Sequence, residues 1–228
     1  MEPHPPIPVL DRAAVSRLLA EGESSEHALV VHNRRVHTLC DPTAWSVLPR
    51  ANNAPVPLRS LDLSFNNLAQ IGSLALAPLV ELRELRLYSN KLTAEGLEGS
   101  GLEKLGKLER LELHDNRLAR LPLGCHLPKL RSLRLERNRL ESLAALASMR
   151  CTGLTHLFLD ANRLSSLVGK APKEADRAKK GPPLQGGAAW LASFSHLEVL
   201  RVTVGSEGRF FGLIESPTVS TLSSCCCF

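Results

Sequence analysis

Between residues 55 and 204 the apolar positions of the chain recur in one frame, Leu-x-x-Leu-x-Leu-x-x-Asn-x-Leu. The first copy is Leu58, Leu61, Leu63, Asn66 and Leu68. Four more follow: Leu82, Leu85, Leu87, Asn90, Leu92; Leu108, Leu111, Leu113, Asn116, Leu118; Leu130, Leu133, Leu135, Asn138, Leu140; and Leu154, Leu157, Leu159, Asn162, Leu164. A sixth, degraded copy reads Leu197, Leu200, Val202, with Gly205 at the asparagine position. From Leu63 through Leu87, Leu113 and Leu135 to Leu159 the steps are 24, 26, 22 and 24 residues, so one structural unit is repeated. Alternating Leu-x-Leu predicts a short, half-buried strand. Stacking one strand per unit makes a parallel sheet whose inward leucines form columns, which a single unit could not bury alone. The asparagine predicts a tight turn, its amide satisfying backbone groups of its own and the next repeat. After the turn the chain returns behind the sheet. Glu141 to Met149, with Leu143, Leu146 and Met149 three apart, predicts a helical return, and Leu121-Pro122-Leu123-Gly124 a looser one. Cys151 shares a column with Leu79, Leu105, Leu127 and Phe194, which predicts a small core residue.

The stretch Leu127-x-x-Leu130-x-x-Leu133-x-Leu135-x-x-Asn138-x-Leu140-x-x-Leu143-x-x-Leu146 resembles the short intracellular class of the leucine-rich repeat family. That class includes regulatory subunits of type-one protein phosphatase, the spliceosomal A-prime protein and an axonemal dynein light chain. The resemblance spans residues 55–204. It implies an α/β solenoid with a parallel concave sheet and helical or irregular convex returns.

The flanks read differently. Residues 1–9 are proline-rich and predicted disordered. Asp11 followed by Ala13, Ala14, Val15, Leu18 and Leu19 predicts a capped helix ending near Gly22 that covers the first strand edge. Leu29, Val31, Arg34, Val36 and Leu39 copy the frame without its asparagine, so residues 10–54 form an N-terminal cap and an atypical first repeat. Residues 168–187, rich in Gly, Pro, Lys and Ala, predict a flexible basic insertion. Residues 205–228 supply a C-terminal cap with Phe210, Phe211, Leu213 and Ile214, then a Ser/Thr-rich tail.

Composition sharpens this picture. Leucine is 44 of 228 residues, roughly twice ordinary usage, while aromatics are only 4%. The net charge is +5, yet residues 169–180 hold five bases and two acids, so most of the excess lies in one loop and the rest is weak support for a nucleic-acid surface. Met1-Glu2-Pro3-His4-Pro5-Pro6 has neither the basic nor the apolar region of a secretion signal, and no segment approaches the ~18 apolar residues of a membrane span. Cys40, Cys125 and Cys151 lie far apart. These features lead to the expectation of a reduced, cytoplasmic protein, with nucleus or cilium and cytoskeleton as alternatives. Cys225-Cys226-Cys227-Phe228 outlines a prenylation box with Cys225 as acceptor, although its middle positions are cysteine instead of aliphatic.

In a curved parallel sheet the residues between the inward leucines face the concave side. One column is Asp62, Arg86, Glu112, Arg134, Phe158 and Arg201; the next holds Ser64, Tyr88, His114, Glu136 and Asp160. The alternating charges of Asp62, Arg86, Glu112 and Arg134 suit a cross-strand ladder, a partner contact, or both. Tyr88, Phe158 and the arginines are the residue types that dominate interface energies, so the face is read as partner-binding. His114, Glu136 and Asp160 share a column, which a solvated polar face explains without a metal. Gly99-Ser100-Gly101 lacks the lysine pattern of a phosphate loop, and no nucleophile with its base stands out. The reading is therefore a monomeric, non-enzymatic scaffold, adaptor or regulatory subunit, without cofactor, that binds a protein on its concave face. RNA association through the basic loop, and membrane recruitment through lipidated C-terminal cysteines, are the alternatives.

Overall fold

The computed structural model describes residues 6–21, 25, 27–39, 42–51, 54–122, 124–141, 146, 149, 151–164, 196–204 and 209–211. The basic insertion, most of the Glu141 to Met149 return, Gly22, Cys40, Phe194, Leu213, Ile214 and the tail with Cys225 lie outside these residues. In chain order the strands are β1 (Val9–Leu10), β2 (Ala28–Val30), β3 (Thr38–Leu39), β4 (Arg50–Ala51), β5 (Ala54–Pro55), β6 (Ser60–Asp62), β7 (Gln70–Ile71), β8 (Glu84–Arg86), β9 (Arg110–Glu112), β10 (Ser132–Arg134), β11 (His156–Phe158), β12 (Val199–Val204) and β13 (Arg209–Phe211). Helices α1 (Arg12–Ala20) and α2 (Ala94–Leu97), and 3-10 turns at Pro42–Val47 and Leu102–Lys104, complete the set.

The main sheet runs β2-β6-β8-β9-β10-β11-β12-β13. Its first seven strands are parallel and β13 closes the far edge antiparallel to β12. Leu29, Leu61, Leu85, Leu111, Leu133, Leu157 and Leu200 are direct partners across it, each at most 2% exposed. Leu63, Leu87, Leu113, Leu135, Leu159 and Val202 make the second buried column. Burying each leucine contributes about 1.5–3 kcal/mol, and the stacked columns join the repeats into one core.

The turn after each strand follows one plan. The residue before the asparagine adopts a left-handed conformation in six successive units: Asn33, Phe65, Ser89, Asp115, Arg137 and Ala161 have φ of +52° to +54°. The asparagine amide then bridges to the preceding repeat, not the next one as the sequence suggested. In Asn90, Nδ2 donates to the carbonyls of Leu63, Leu87 and Tyr88, while Oδ1 accepts from the Leu68 N–H. Asn116 and Asn138 repeat the scheme, and Asn162 repeats it half-buried. In the first unit Arg34 occupies the asparagine column and its guanidinium is fully buried, with Nη2 donating to Glu21 at 2.6 Å. Asn66 reaches back to serve this unit, accepting from the Arg34 and Val36 N–H groups.

Behind the main sheet, β1, β3 and β7 form a small parallel sheet. Disorder through residue 9 is thereby corrected: Ile7 is 5% exposed, its N–H donates to the Arg34 carbonyl, and Val9 pairs with Thr38. The reason is that Ile7 and Leu10 are apolar enough to be drawn onto the first repeat. Helix α1 starts at Asp11, whose carboxylate accepts from the Ala14 N–H at 2.8 Å, and buries Ala14, Val15 and Leu18. Its position makes Glu21, just past its end, the partner of Arg34.

The returns are short and tightly packed. Thr93 caps α2, and a Cβ on Gly96 would overlap the carbonyl oxygen of Ala69 in the preceding return. Gly96→Ala is therefore expected to lower the unfolding free energy by about 2 kcal/mol despite alanine's better helix propensity. Gly106, with nothing near a new Cβ, should accept alanine almost silently. Urea unfolding of the two variants checks this.

Candidate protein-binding face

Register builds the face. Asp62, Arg86, Glu112, Arg134, Phe158 and Arg201 are successive Cα partners on β6, β8, β9, β10, β11 and β12, with neighbours about 4.8 Å apart. Two residues further along each chain come His32, Ser64, Tyr88, His114, Glu136 and Asp160.

Four rings make a continuous stripe across the first half of this face. His32 meets Phe65 edge-on with centroids 5.0 Å apart, Phe65 meets Tyr88 edge-on at 5.2 Å, and Tyr88 stacks on His114 at 4.4 Å and 9°. Phe65 is 48% exposed and occupies the left-handed turn position, where a bulky side chain is an outlier. In the second half Phe158 lies between two guanidinium groups, Arg134 at 5.5 Å and Arg201 at 6.0 Å from its centroid. Such cation–π contacts contribute about 0.5–1 kcal/mol at exposed sites.

Every arginine on this face has a carboxylate within 4 Å. Arg86 lies 2.8 Å from Glu84 and 3.5 Å from Asp62; Arg110 also reaches Glu84 at 2.8 Å; Arg201 lies 3.2 Å from Asp160 and Arg137 3.6 Å from Asp115. Arg134 bonds to Glu136 two residues along its own strand. The alternating ladder is thus realised between Asp62 and Arg86, whereas the second half pairs charges along and diagonally across strands. Burial works against the Arg86 charge, but Glu84, Asp62 and Glu112 hold its proton more firmly than usual. The Glu136 hydrogen bond does the same for Arg134. Burial also opposes ionisation of Glu84, yet Arg110 and Arg86 bring its pKa below the ordinary range.

Ser64, expected on the open face, is fully buried: its hydroxyl donates to Asp62 and lies 3.2 Å from His32 Nδ1. With its proton directed to a carboxylate and its oxygen inaccessible, it is not placed as a nucleophile. Among the described residues no three His, Cys, Asp or Glu side chains come close enough to hold a metal ion. Cys125 and Cys151 are buried in the core, which pushes their thiols up to about 11 and about 12, so neither is a ready thiolate.

Burial, with Arg134 nearby, lowers the His114 pKa below 6.5, outweighing Glu136, Glu112 and Asp115. A folded pKa below the unfolded one means that this side chain's share of stability is full above pH 6.5 and is lost as acid charges the ring. An NMR titration of the His114 ring is expected to show a midpoint below 6.5, and His114→Gln should lose less stability than the parent between pH 6.5 and that midpoint. Asp160 moves the other way, raised by burial and by Glu136 against the pull of Arg201.

All ten sequence-chosen residues, Asp62, Arg86, Tyr88, Glu112, His114, Arg134, Glu136, Phe158, Asp160 and Arg201, fall on this one face. Asp62 and Glu136 are nearly buried, at 8% and 9% exposed, so any contact they make is through single polar atoms rather than area. Sequence reasoning did not include His32, Phe65, Glu84 and Arg110 among the site residues, Phe65 because an aromatic just before the turn asparagine is equally explained by packing on the next repeat. The frame Leu29-x-Val31 already placed His32 beside the stripe, but the missing asparagine obscured that repeat.

One strand per repeat, leucine columns and an asparagine turn ladder define a leucine-rich-repeat solenoid. Residues 56–125 match the family model described as leucine rich repeat, and residues 106–148 that of leucine rich repeats in two copies, so this stretch consists of leucine-rich repeats. Mouse podocan is 40% identical over 113 residues, covering 49% of this chain and 18% of podocan. Human leucine-rich repeat transmembrane protein FLRT2 is 33% identical over 100 residues, 44% of this chain and 15% of that protein. The chain thus spans under a fifth of either relative. A solved octameric complex of Latrophilin 3, Unc5D and the FLRT2 repeats contains a chain of the same fold, with a TM-score of 0.55, 21% identity, and coverage of 88% of this chain and 58% of that one. These relatives are extracellular-matrix or transmembrane proteins, which overturns the cytoplasmic expectation and does not single out the short intracellular class. That expectation rested on the first six residues and on scattered cysteines, neither of which bears on the repeats that carry the similarity.

Proposed function

We propose that the chain is a non-enzymatic scaffold or adaptor whose concave face binds a protein partner, in an extracellular setting like that of its relatives. The observation that carries this reading is the ring-to-ring stripe His32, Phe65, Tyr88 and His114, which the turn ladder leaves with a half-exposed phenylalanine at its centre. A half-exposed aromatic ring packed against other rings suits a binding anchor. FLRT2, a relative by sequence, is a component of a multi-protein complex, which supports the same class of role. An RNA partner on this face is disfavoured because every arginine of it already has a carboxylate beside it.

A photo-reactive amino acid at Phe65, compared with one at Val80 in a return, tests which side meets the partner. Val80 is equally exposed, at 51% against 48%. Partner adducts are expected from position 65 and not from position 80; the reverse pattern would place recognition on the returns.

A further inference from the structure

We infer that the middle of the concave face, at Glu136, receives an arginine side chain of the protein partner; this rests on the concave-face reading above. Glu136 is 9% exposed and its Oε1 accepts from Arg134 Nε at 3.0 Å and Nη2 at 2.7 Å. Its Oε2 is covered and has no hydrogen-bond partner. A buried acceptor left unmet is costly, and native proteins rarely keep one without a reason.

The neighbours in the same column repeat the pattern. On β9's side His114 Nδ1 is covered and unpartnered, and beyond β11 so is Asp160 Oδ1. Asp160 Oδ2 has the Arg201 ion pair at 3.2 Å but no bond of hydrogen-bonding geometry. Carboxylate oxygens only accept, and an imidazole protonated at Nε2 accepts at Nδ1. Two successive repeats therefore present carboxylate acceptors that call for N–H donors, and His114 adds a third in its Nε2–H tautomer. Because these side chains do not converge as metal ligands do, the matching group is one that carries several donors spread over a plane. A guanidinium is such a group, and a lysine ammonium is not.

The same face shows how this works. Glu84 Oε1 accepts from two guanidinium groups at once, Arg86 and Arg110, each at 2.8 Å. Glu136 holds one arginine where Glu84 holds two. Ring surfaces for stacking lie on both sides, the Tyr88–His114 pair and Phe158. Arg134 bonds only Oε1 and its side chain is 41% exposed, so it has the freedom to shift along the carboxylate, keeping that bond, as a second guanidinium takes Oε2.

The test uses the full chain and a small probe, N-acetyl-arginine amide, with the uncharged citrulline analogue as control. Titrated through the millimolar range, the arginine probe is expected to shift the NMR signals of the His114 ring and of residues 134–136 and 158–160 saturably, and citrulline is not. Glu136→Gln should weaken binding about tenfold, the worth of one charge-assisted hydrogen bond. Should that variant lose its fold, Asp160→Asn, in a side chain 16% exposed against 12% for Glu136, provides the same test. No saturable shift, equal response to citrulline, or undiminished binding in a folded variant would overturn the inference, the orphaned acceptors then being met by water alone. Those outcomes leave the concave-face reading itself intact, since that reading is decided by adducts at Phe65 and not by this probe.

Discussion

Replacing Asn116 by alanine is expected to lower the unfolding free energy by about 3 kcal/mol. The amide is 8% exposed and holds four backbone groups: its Nδ2 donates to the carbonyls of Leu87, Leu113 and His114, and its Oδ1 accepts from the Leu92 N–H. Alanine removes all four bonds and leaves the four backbone groups without their partner. Each orphaned group costs about 1–3 kcal/mol, and partial relaxation of the turn keeps the total near the value given. Asp115, just before it, is held at φ +54° by the same turn, so the loss also releases a strained residue and the turn opens. The same change at Asn162, which is half-buried, should cost about half as much. Urea unfolding of both variants at pH 7 decides the matter. Equal, negligible shifts would mean that the turn ladder does not hold the repeats together.

Much of this was legible in the sequence because a 24-residue beat of leucines specifies both which residues are buried and which strands are neighbours. Leu63, Leu87 and Leu113 could be placed in one column, and Asp62, Arg86 and Glu112 on the opposite face, from spacing alone. What spacing does not carry is rotamer choice. Arg134 could have paired with Glu112 across the sheet, and instead bonds Glu136 on its own strand, which brings it over Phe158. The left-handed turn position was also hidden, since Phe65, Ser89, Asp115, Arg137 and Ala161 share no residue type and the conformation is imposed by the ladder on each side. Phe65 was therefore ambiguous from sequence; it packs on Tyr88 of the next repeat and is also half-exposed. Arg34 was hidden for another reason: in place of an asparagine it looked like a lost motif, whereas it fills the same buried column and is matched by Glu21 from helix α1. The pairing of a cap residue with a repeat residue is a tertiary contact that no periodicity records.

The second large effect concerns binding, and it bears on the central claim. Changing Phe65, Tyr88 and Phe158 together to alanine removes three rings from the concave face and no leucine or turn asparagine. Alanine is tolerated at the left-handed position, since Ala161 already occupies it with φ +54°. Arg134 is kept, because its loss would leave the nearly buried Glu136 carboxylate without its two hydrogen bonds. The variant should therefore fold, with a circular dichroism spectrum and unfolding transition close to the parent's. Aromatic anchors at the centre of an interface typically cost 2 kcal/mol or more when truncated, so affinity for the partner captured from the native tissue should fall by at least about thirtyfold. The decisive measurement is that affinity, read by calorimetry on the parent and the folded triple variant side by side. A loss of thirtyfold or more is the result predicted for a partner seated on the aromatic stripe; an unchanged affinity in the folded variant would contradict the account and place recognition elsewhere on the molecule.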